Sequence, residues 1–439
     1  MRTLEEVRKA VVEAVERRGD EIIAMGDYVW KNPESGYREV KTAKYANDKL
    51  RALGLPLREN LAITGMRADL ESGRPGPTVA LLGEMDSLII PEHPECDKST
   101  GAVHSCGHNS HITAMVGAAM ALVDAGVKDD ISGKVAFIGT PAEECIEIDW
   151  RTQLMAEGRI GALGGKAELI REGVFDDVDM AIMNHIGKRD HYGSRDHNGF
   201  VCKSVTFHGR SCHAAGPSNG INAMHAATLA INALGLLNAT FPDEARVHGI
   251  ITSGGTAVNV IPGTAGLEYM LRAPTMDAVE KLSDSFDRAM RGAALALGAE
   301  VEIRTTAGYM PLSNDAKLSD LLIKVVKENL PGNSGDYQPL GSFAKSSTDM
   351  GDVSVVMPAV HCDIPGGGGR SHSNTYFIAD KRQAYLDNAK ILALMAVELL
   401  YGDAALGKEV AARRDGKISI AEYLRRTNAL NKTEKFSEA

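Results

Sequence analysis

The chain has 439 residues, which is long enough for one very large domain or two ordinary ones. Its 44% hydrophobic and 24% charged residues are typical of a globular protein. The formal net charge of −10 and the lack of a basic stretch argue against a nucleic-acid or anionic-membrane partner, because both require concentrated Lys and Arg.

The N-terminus and the cysteines bear on the location of the protein. The sequence MRTLEEVRKAVVEAVERRGDEI has the pattern of a charged amphipathic helix and lacks the apolar core of a secretory signal. No window of the sequence approaches the roughly 20 apolar residues that a membrane-spanning helix needs. The six cysteines have no framework spacing. We therefore expect a cytoplasmic protein with reduced thiols and no membrane partner.

The first half of the chain alternates between helical and strand-like patterns. The predicted elements are helices at 5–25, 39–53 and 164–175, a helix from 108, and buried strands at 78–88, 133–140 and 178–187. The strands are short, nearly continuous apolar runs, which is typical of strands buried on both faces. This alternation predicts a mainly parallel sheet covered by helices.

The pattern changes near residue 195. The next predicted elements are strands at 201–209, 248–255, 263–274 and 299–305, and helices at 222–238 and 276–297. They form an α+β unit of roughly one hundred residues. After about 310 the helix–strand alternation returns and ends in a helix at about 380–401. We predict a discontinuous α/β domain at 1–197 and 310–402, an α+β insert at 198–309 and a charged tail at 403–439.

Side chains with metal-binding or acid–base chemistry cluster after the predicted strands and at one helix start. They are Glu84, Asp86, Cys106, His108, Glu143, Glu144, His185 and His372. In open α/β sheets, ligands bind beyond the carboxyl ends of the strands. The sequence therefore predicts that these groups converge on one edge of the sheet.

The motif HSCGHNSH, residues 104–111, has two interpretations. Cys106 could be a buried thiol and His108 a capping residue at a helix start. A structural zinc site would need a second Cys/His pair at short spacing, and the sequence has none. A Cys/His/carboxylate set drawn from distant segments is typical of catalytic metals. We expect His104 and His111 to have supporting roles.

The adjacent Glu143 and Glu144 in the motif PAEE would ordinarily be a solvated pair. At the end of a buried strand, neighbouring side chains point to opposite sides. One carboxylate could then hold a metal while the other acts as a general base. His185 and His372 are each, taken alone, more typical of structural histidines, and they gain weight only together with the other groups.

These motifs resemble peptidase family M20, and in particular its branch of aminobenzoyl-glutamate hydrolases, indole-acetyl-amino-acid hydrolases and aminoacylases. The similar stretches are LLGEMDSL, HSCGHNSH, GTPAEE, GVFDDVD, FHGRSCHAAGPSNGINAMHAA, EARVHGIITSGGTAVNVIPGTAGLEYMLRAP and SSTDMGDVSVVMP. They span nearly the whole chain up to about residue 400. The resemblance implies a two-metal catalytic domain with an inserted dimerisation, or lid, domain, and a homodimer or higher homo-oligomer.

The resemblance also implies a ligand set for two divalent ions, with Mn²⁺ favoured and Zn²⁺ as the alternative. The implied ligands are Cys106, which bridges both ions, and His108, Glu144, His185 and His372.

Four further roles follow from the resemblance. Glu143 is implied as the general base. His213 of the lid is implied to reach the active site of the partner subunit and to polarise the scissile carbonyl. Asn259 and Arg272 are implied to bind the carboxylate of the substrate. From spacing alone, these last three residues would be a surface histidine, a turn residue and an exposed salt-bridge partner.

One segment departs from the family pattern. Many relatives have glycines directly after PAEE, whereas this chain has CIEIDWRTQLMAEGRIGALGG at 145–165. The segment is either a tolerated surface insertion or a specificity loop in which Trp150 and Arg151 contact an aromatic acid.

The predicted function is metal-dependent hydrolysis of the C–N amide bond of an N-acyl or N-aroyl amino acid or a similar small aromatic conjugate. The alternative within enzymes is hydrolytic deamination of an aromatic amine. Outside enzymes, the alternative is a metal-stabilised binding protein. A cysteine nucleophile paired with histidine is disfavoured, because it would leave two glutamates without a role.

Overall fold

The computed structural model describes residues 1–187, 191–330, 336–337 and 341–437. The chain divides into two compact units. The first consists of Met1–Asp196, Ser313–Phe343 and Asp352–Ile420, and the second of His197–Leu312, Ala344–Gly351 and the chain from Ala421 onward. Residues 331–335 and 338–340 of the predicted alternation after 310, and 438–439 of the predicted tail, lie outside the described residues.

An eight-stranded sheet organises the first unit. In spatial order its strands are Leu57–Leu61, Gly65–Glu71, Lys134–Thr140, Thr78–Glu84, Met180–Ile186, Ala359–Ile364, His191–Ser194 and Asp336–Tyr337. The third to sixth strands are parallel, as are the last two, and the other contacts are antiparallel. Every residue of Thr78–Glu84 is buried, so both faces of this strand are covered. The predicted fold class is confirmed.

Helices supply most of the remaining core of this unit. They are Leu4–Arg17, Gly19–Lys31, Val40–Ala52, His108–Asp124, Ile148–Ala156, Gly165–Arg171, Ala316–Asn329, Asn388–Leu400 and Ala405–Ala411. The shorter elements are the 3₁₀ helices Val127–Asp129 and Ala412–Gly416, the π-helix Arg382–Asp387, and the strand pairs Leu88–Ile89 with Ala102–Val103 and Gly367–Gly368 with Phe377–Ile378. Within the described residues, no helix has both the length and the apolar character required to cross a bilayer.

The prediction of one helix over 5–25 is wrong, because the structure has two helices that meet at Arg18. Arg18 leaves helical geometry with φ −87° and ψ 3°, and its guanidinium donates hydrogen bonds to Asp124 and Glu21. The buried residues keep a helical spacing through the break, with Val15 before it and Ile22 after it. The hydrophobic pattern alone therefore could not reveal the break.

A five-stranded antiparallel sheet organises the second unit. Its strands in spatial order are Arg246–Ser253, Thr264–Ala273, Gly199–His208, Glu300–Ala307 and Lys432–Phe436. The helices Ala223–Leu237 and Met276–Ala296 bury their apolar faces in the core of this unit. The shorter elements are the paired strands Cys212–His213 and Val260–Ile261 and the 3₁₀ helices Pro217–Asn219 and Asn238–Thr240.

The charged segment from residue 403 onward is ordered where the structure describes it. It contributes the strand Lys432–Phe436, a fifth strand beyond the four predicted for the insert. This strand pairs with Glu300–Ala307, more than one hundred residues earlier in the chain. Four elements contain residues of both units: Asp196–His197, Phe343–Ala344, Met350–Val356 and Ile420–Leu430.

Candidate metal centre

The parallel strands of the first unit bring the predicted polar residues to one edge. Glu84 is the last residue of Thr78–Glu84 and lies opposite Thr140, directly before the PAEE turn. His185 is the penultimate residue of Met180–Ile186. Because these strands are parallel neighbours, their carboxyl ends present these side chains together.

A glycine turn adds the motif HSCGHNSH to this edge. The helix His108–Asp124 begins after Gly107, which has a left-handed φ of 84°. A Cβ atom at residue 107 would lie 2.3 Å from Cγ2 of Ile186, so the turn requires glycine both for its conformation and for this close approach. The turn brings Sγ of Cys106 to 3.4 Å from Nε2 of His185.

The structure brings all five predicted ligands together. Potential ligand atoms lie within 4.8 Å of one another in three groups, which are Cys106/His108/His185, Cys106/Glu144/His372 and His108/Glu143/Glu144. The Nε2 atom of His372 lies 3.3 Å from Sγ of Cys106 and 3.3 Å from Oε1 of Glu144. Cys106 is the shared member of the first two groups, which is the position of a bridging ligand.

The donor set at this edge fits divalent cations. Nε2 of His108 is buried and forms no hydrogen bond within the described residues. Carboxylate oxygens of Glu84, Glu143 and Glu144 nevertheless lie 3.3, 3.8 and 3.9 Å from it. Buried carboxylates, imidazoles and a thiol without enough positive charge are the environment that a metal ion stabilises.

The electrostatics favour the ligand form of the thiol. Burial raises the pKa of Cys106, but the imidazoles of His185 and His372 outweigh this effect and hold the pKa well below its usual range. Burial lowers the pKa of His372, whereas Glu144 and Cys106 raise it, with the result that its pKa is about 11. A cation at this site would replace the proton on His372 as the partner of these anions.

Asp86 orients two of the candidate ligands. Its Oδ1 atom lies 3.0 Å from Nδ1 of His108, and its Oδ2 atom accepts a hydrogen bond of 2.8 Å from the backbone N–H of Glu144. Carboxylates in such positions fix the tautomer and the ring orientation of a ligating histidine. The sequence placed Asp86 at this edge but did not indicate this orienting role.

His111 is occupied by structural hydrogen bonds. Its Nδ1 donates to Oε2 of Glu84 at 2.9 Å, and its Nε2 accepts from the backbone N–H of Ile186 at 3.0 Å. Burial lowers the pKa of His111 to about 3, so the ring stays neutral. Both nitrogens are used, which leaves His111 without a free lone pair for a metal even though it lies close to Glu84 and His108.

Comparison with known proteins gives the family. Residues 195–296 match the M20 peptidase dimerisation domain. The Xaa-Arg dipeptidase of Homo sapiens is 30% identical, covering 95% of this chain and 94% of the relative. The chain belongs to peptidase family M20. One of the p-aminobenzoyl-glutamate hydrolase subunits of Escherichia coli (strain K12) is also 30% identical, covering 70% of this chain and 63% of the relative.

Solved structures support the same M20 fold. The YXEP protein of Bacillus subtilis, a dinuclear metal binding peptidase from the M20 family, aligns with a TM-score of 0.67 at 21% identity, covering 88% of this chain and 99% of that structure. The resemblance drawn from the sequence motifs is therefore confirmed, and the protein is an M20 metallohydrolase acting on C–N bonds.

The segment at 145–165, where this chain departs from many M20 relatives, forms the helix Ile148–Ala156 followed by a loop. Arg151 is fully buried, and its Nη1 donates to the backbone carbonyl of Leu163 at 2.9 Å. This burial does not support the interpretation of Arg151 as a substrate contact. Trp150 stacks against Arg38, whose guanidinium carbon lies 3.9 Å from the ring centroid.

The remaining predicted residues belong to the second unit, the M20 dimerisation domain. His213 lies in the two-residue ladder with Val260, and the carbonyl of Asn259 accepts a hydrogen bond of 2.9 Å from the N–H of Ala214. The structure therefore brings His213 and Asn259 together. Arg272 lies on the strand Thr264–Ala273, with its guanidinium carbon 5.5 Å from the ring centroid of Phe200.

Proposed function

We propose that this M20 protein hydrolyses the amide C–N bond of an N-acyl or N-aroyl amino acid or of a small dipeptide. The observation that carries the proposal is the position of Cys106, which belongs to two ligand groups at the edge of the sheet. A thiolate shared between two groups of histidine and carboxylate ligands suits a pair of divalent ions. Manganese is the proposed metal, since the set includes a carboxylate, and zinc is the alternative.

The proposed ligands are Cys106, His108, Glu144, His185 and His372. When bound, the two ions would lower the pKa of a water molecule and polarise the carbonyl of the substrate. The protein contributes the fixed arrangement of the ligands, and Asp86 holds both the ring of His108 and the backbone of Glu144.

Glu143 is the proposed general base. It is buried next to Glu144, and its carboxylate lies 3.8 Å from Nε2 of His108. It takes a proton from the attacking water and later delivers a proton to the leaving nitrogen, which makes amino acid release possible. His213 of the partner subunit is proposed to donate a hydrogen bond to the carbonyl oxygen as negative charge develops there.

Relatives define the range of substrates to test. One is named a Xaa-Arg dipeptidase, another a p-aminobenzoyl-glutamate hydrolase and a third an N-acyl-L-amino acid amidohydrolase. All three names imply a substrate with a free carboxylate, for which Asn259 and Arg272 are the proposed binding residues. Deamination of an aromatic amine loses the support of the 145–165 segment, because Arg151 is buried.

The second unit is the proposed homodimer interface. Its edge strand Arg246–Ser253 carries exposed Ile250 and Ile251, each 62% accessible to solvent. Exposed apolar residues on a sheet edge favour pairing with a second copy. The six cysteines are all free, which supports the proposal of a reducing, cytoplasmic location.

The test is a substrate panel on enzyme reconstituted with Mn²⁺ or Zn²⁺. The panel contains alanyl-arginine, p-aminobenzoyl-glutamate, N-acetyl-methionine and 2-aminobenzoate, and the released nitrogen is identified as amino acid or ammonia. We expect amino acid release from at least one of the first three compounds and its loss after treatment with EDTA. Ammonia from 2-aminobenzoate alone would favour deamination, and metal-independent turnover would contradict the proposal.

The variant Glu143→Gln separates catalysis from metal binding. We expect it to bind as much metal as the wild-type protein while kcat falls by roughly 10³-fold or more, because the amide cannot accept the proton. Glu157→Gln, in the exposed end of the 145–165 segment, is the matched control and should keep wild-type kcat. Wild-type turnover in Glu143→Gln would exclude Glu143 as the general base.

A further inference from the structure

The residue before Glu143 has a backbone conformation that side-chain-bearing residues rarely adopt. Ala142 has a φ of 53° and is completely buried. A left-handed non-glycine residue persists only where the surrounding structure holds it. The direction in which the chain leaves this residue sets where the Glu143 side chain points.

Ala142 is held on both sides by buried charged residues. Its N–H donates to Oε1 of Glu39 at 2.8 Å, and its carbonyl accepts from Nη1 of Arg151 at 3.3 Å. Glu39 is itself fixed, since its other oxygen accepts from the hydroxyl of Thr64 at 2.5 Å. The N–H of Gly165 also donates to the carbonyl of Ala142, at 3.3 Å.

Arg151 is fitted closely into this position. It is completely buried, and it contacts the ring of Tyr37 with its guanidinium carbon 5.4 Å from the centroid. A Cβ atom at Gly36 would lie 2.3 Å from Nη2 of Arg151 and 2.7 Å from Cα of Ala142, so glycine leaves the space that the guanidinium fills.

The guanidinium also connects the two ends of the departing segment. Its Nη1 bonds both the carbonyl of Ala142, before the segment, and the carbonyl of Leu163, near its end. The hydroxyl of Tyr37 donates to the neighbouring carbonyl of Ala162 at 3.0 Å. A planar group with several fixed donors suits this task better than a lysine ammonium.

We propose that Arg151 is a positioning residue for the general base. By bonding Ala142 it fixes the backbone from which Glu143 projects, and the 145–165 segment is thereby a brace for the catalytic turn rather than a loop that contacts substrate. This inference rests on the proposed function of Glu143.

The test compares Arg151→Met and Arg151→Lys with Arg159→Met. Arg159 is an exposed arginine of the same segment and serves as the matched control. Turnover is measured with whichever of alanyl-arginine, p-aminobenzoyl-glutamate and N-acetyl-methionine the wild-type protein hydrolyses. Metal content is measured on the same samples, and amide hydrogen exchange of the peptide 141–145 is measured on metal-free protein.

For Arg151→Met we expect kcat to fall by about 10- to 100-fold with KM within twofold of wild type, because a small displacement of a catalytic group lowers turnover more than binding. Metal content should stay at the wild-type value, and exchange at 141–145 should accelerate. Arg151→Lys should show a smaller loss of kcat with the same pattern, and Arg159→Met should match wild type in all three measurements.

Wild-type kcat and wild-type exchange at 141–145 in both Arg151 variants would overturn the proposal. Loss of activity in proportion to unfolded protein, with faster exchange throughout the chain, would also overturn it, because that is the result of a purely structural role. If Arg151→Met does not fold, Arg151→Lys decides. A wild-type protein that hydrolyses none of the three probes contradicts the proposed function instead, and hydrogen exchange still tests the brace.

Discussion

Replacement of Lys166 by Met is expected to destabilise the first unit strongly. The side chains of Lys166 and Glu84 are both completely buried, and Nζ lies 2.5 Å from Oε1 of the carboxylate. The other oxygen of Glu84 accepts from His111 at 2.9 Å and lies 3.3 Å from Nε2 of His108. Burial raises the pKa of Glu84, but Lys166 and the two histidines outweigh it and hold this pKa well below its usual range.

The magnitude follows from the charge that is left behind. Removing one partner of a buried ion pair costs about 3–5 kcal/mol, because the other charge stays desolvated and uncompensated. Methionine keeps most of the apolar stem of Lys166, so little of this cost comes from lost packing. At roughly 2–4 °C per kcal/mol for a large domain, the unfolding temperature should fall by roughly 6–20 °C.

The assay is thermal unfolding of the metal-free protein. Lys9→Met is the control, since the Lys9 side chain is 77% exposed and its change should stay within about 0.5 kcal/mol. The double variant Glu84→Gln/Lys166→Met should lose less than the sum of the two single variants, because it removes both charges. A fall of less than 2 °C for Lys166→Met, or strict additivity in the double variant, would refute the reasoning.

Two further predictions concern pH. Because His372 has a pKa of about 11 without metal, binding must release its proton, so affinity for Mn²⁺ should rise from pH 6 to 8; calorimetry in buffers of different ionisation enthalpy measures this release, and pH-independent affinity would contradict it. Burial raises the pKa of Asp363, but Arg195 at 2.7 Å outweighs it and lowers the pKa to about 2. This ion pair therefore stabilises the fold above pH 4 and loses roughly 2 kcal/mol as pH falls toward 2. Urea unfolding from pH 7 to 3 should show a smaller loss for Asp363→Asn than for wild type, and equal losses would exclude this contribution.

The central sheet could be predicted from the sequence because its strands are uniformly apolar. Thr78–Glu84 and Lys134–Thr140 are runs that only a strand buried on both faces explains, and the structure has them within a few residues of the predicted bounds. The strand Lys432–Phe436 could not be predicted, because KTEKF is charged and has no apolar alternation. Its pairing with Glu300–Ala307 depends on contacts distant in sequence.

The candidate ligands could be located because they follow strand ends and a glycine turn, both of which are readable in sequence. The supporting residues could not. Arg151 and Lys166 are charged, and charged residues are ordinarily exposed, so nothing in their spacing indicates complete burial. The hydrogen bonds of His111 to Glu84 and Ile186 likewise depend on where two strands and one helix meet.

The two edges of the sheet in the second unit differ in a way that limits how copies can associate. On one side the charged strand Lys432–Phe436 covers Glu300–Ala307, while the opposite edge, Arg246–Ser253, exposes two isoleucines. Strand pairing through a single apolar edge joins identical surfaces about a twofold axis and stops at two copies. A sheet with both edges free could add copies indefinitely, so the sealed edge converts a polymerising geometry into a finite one.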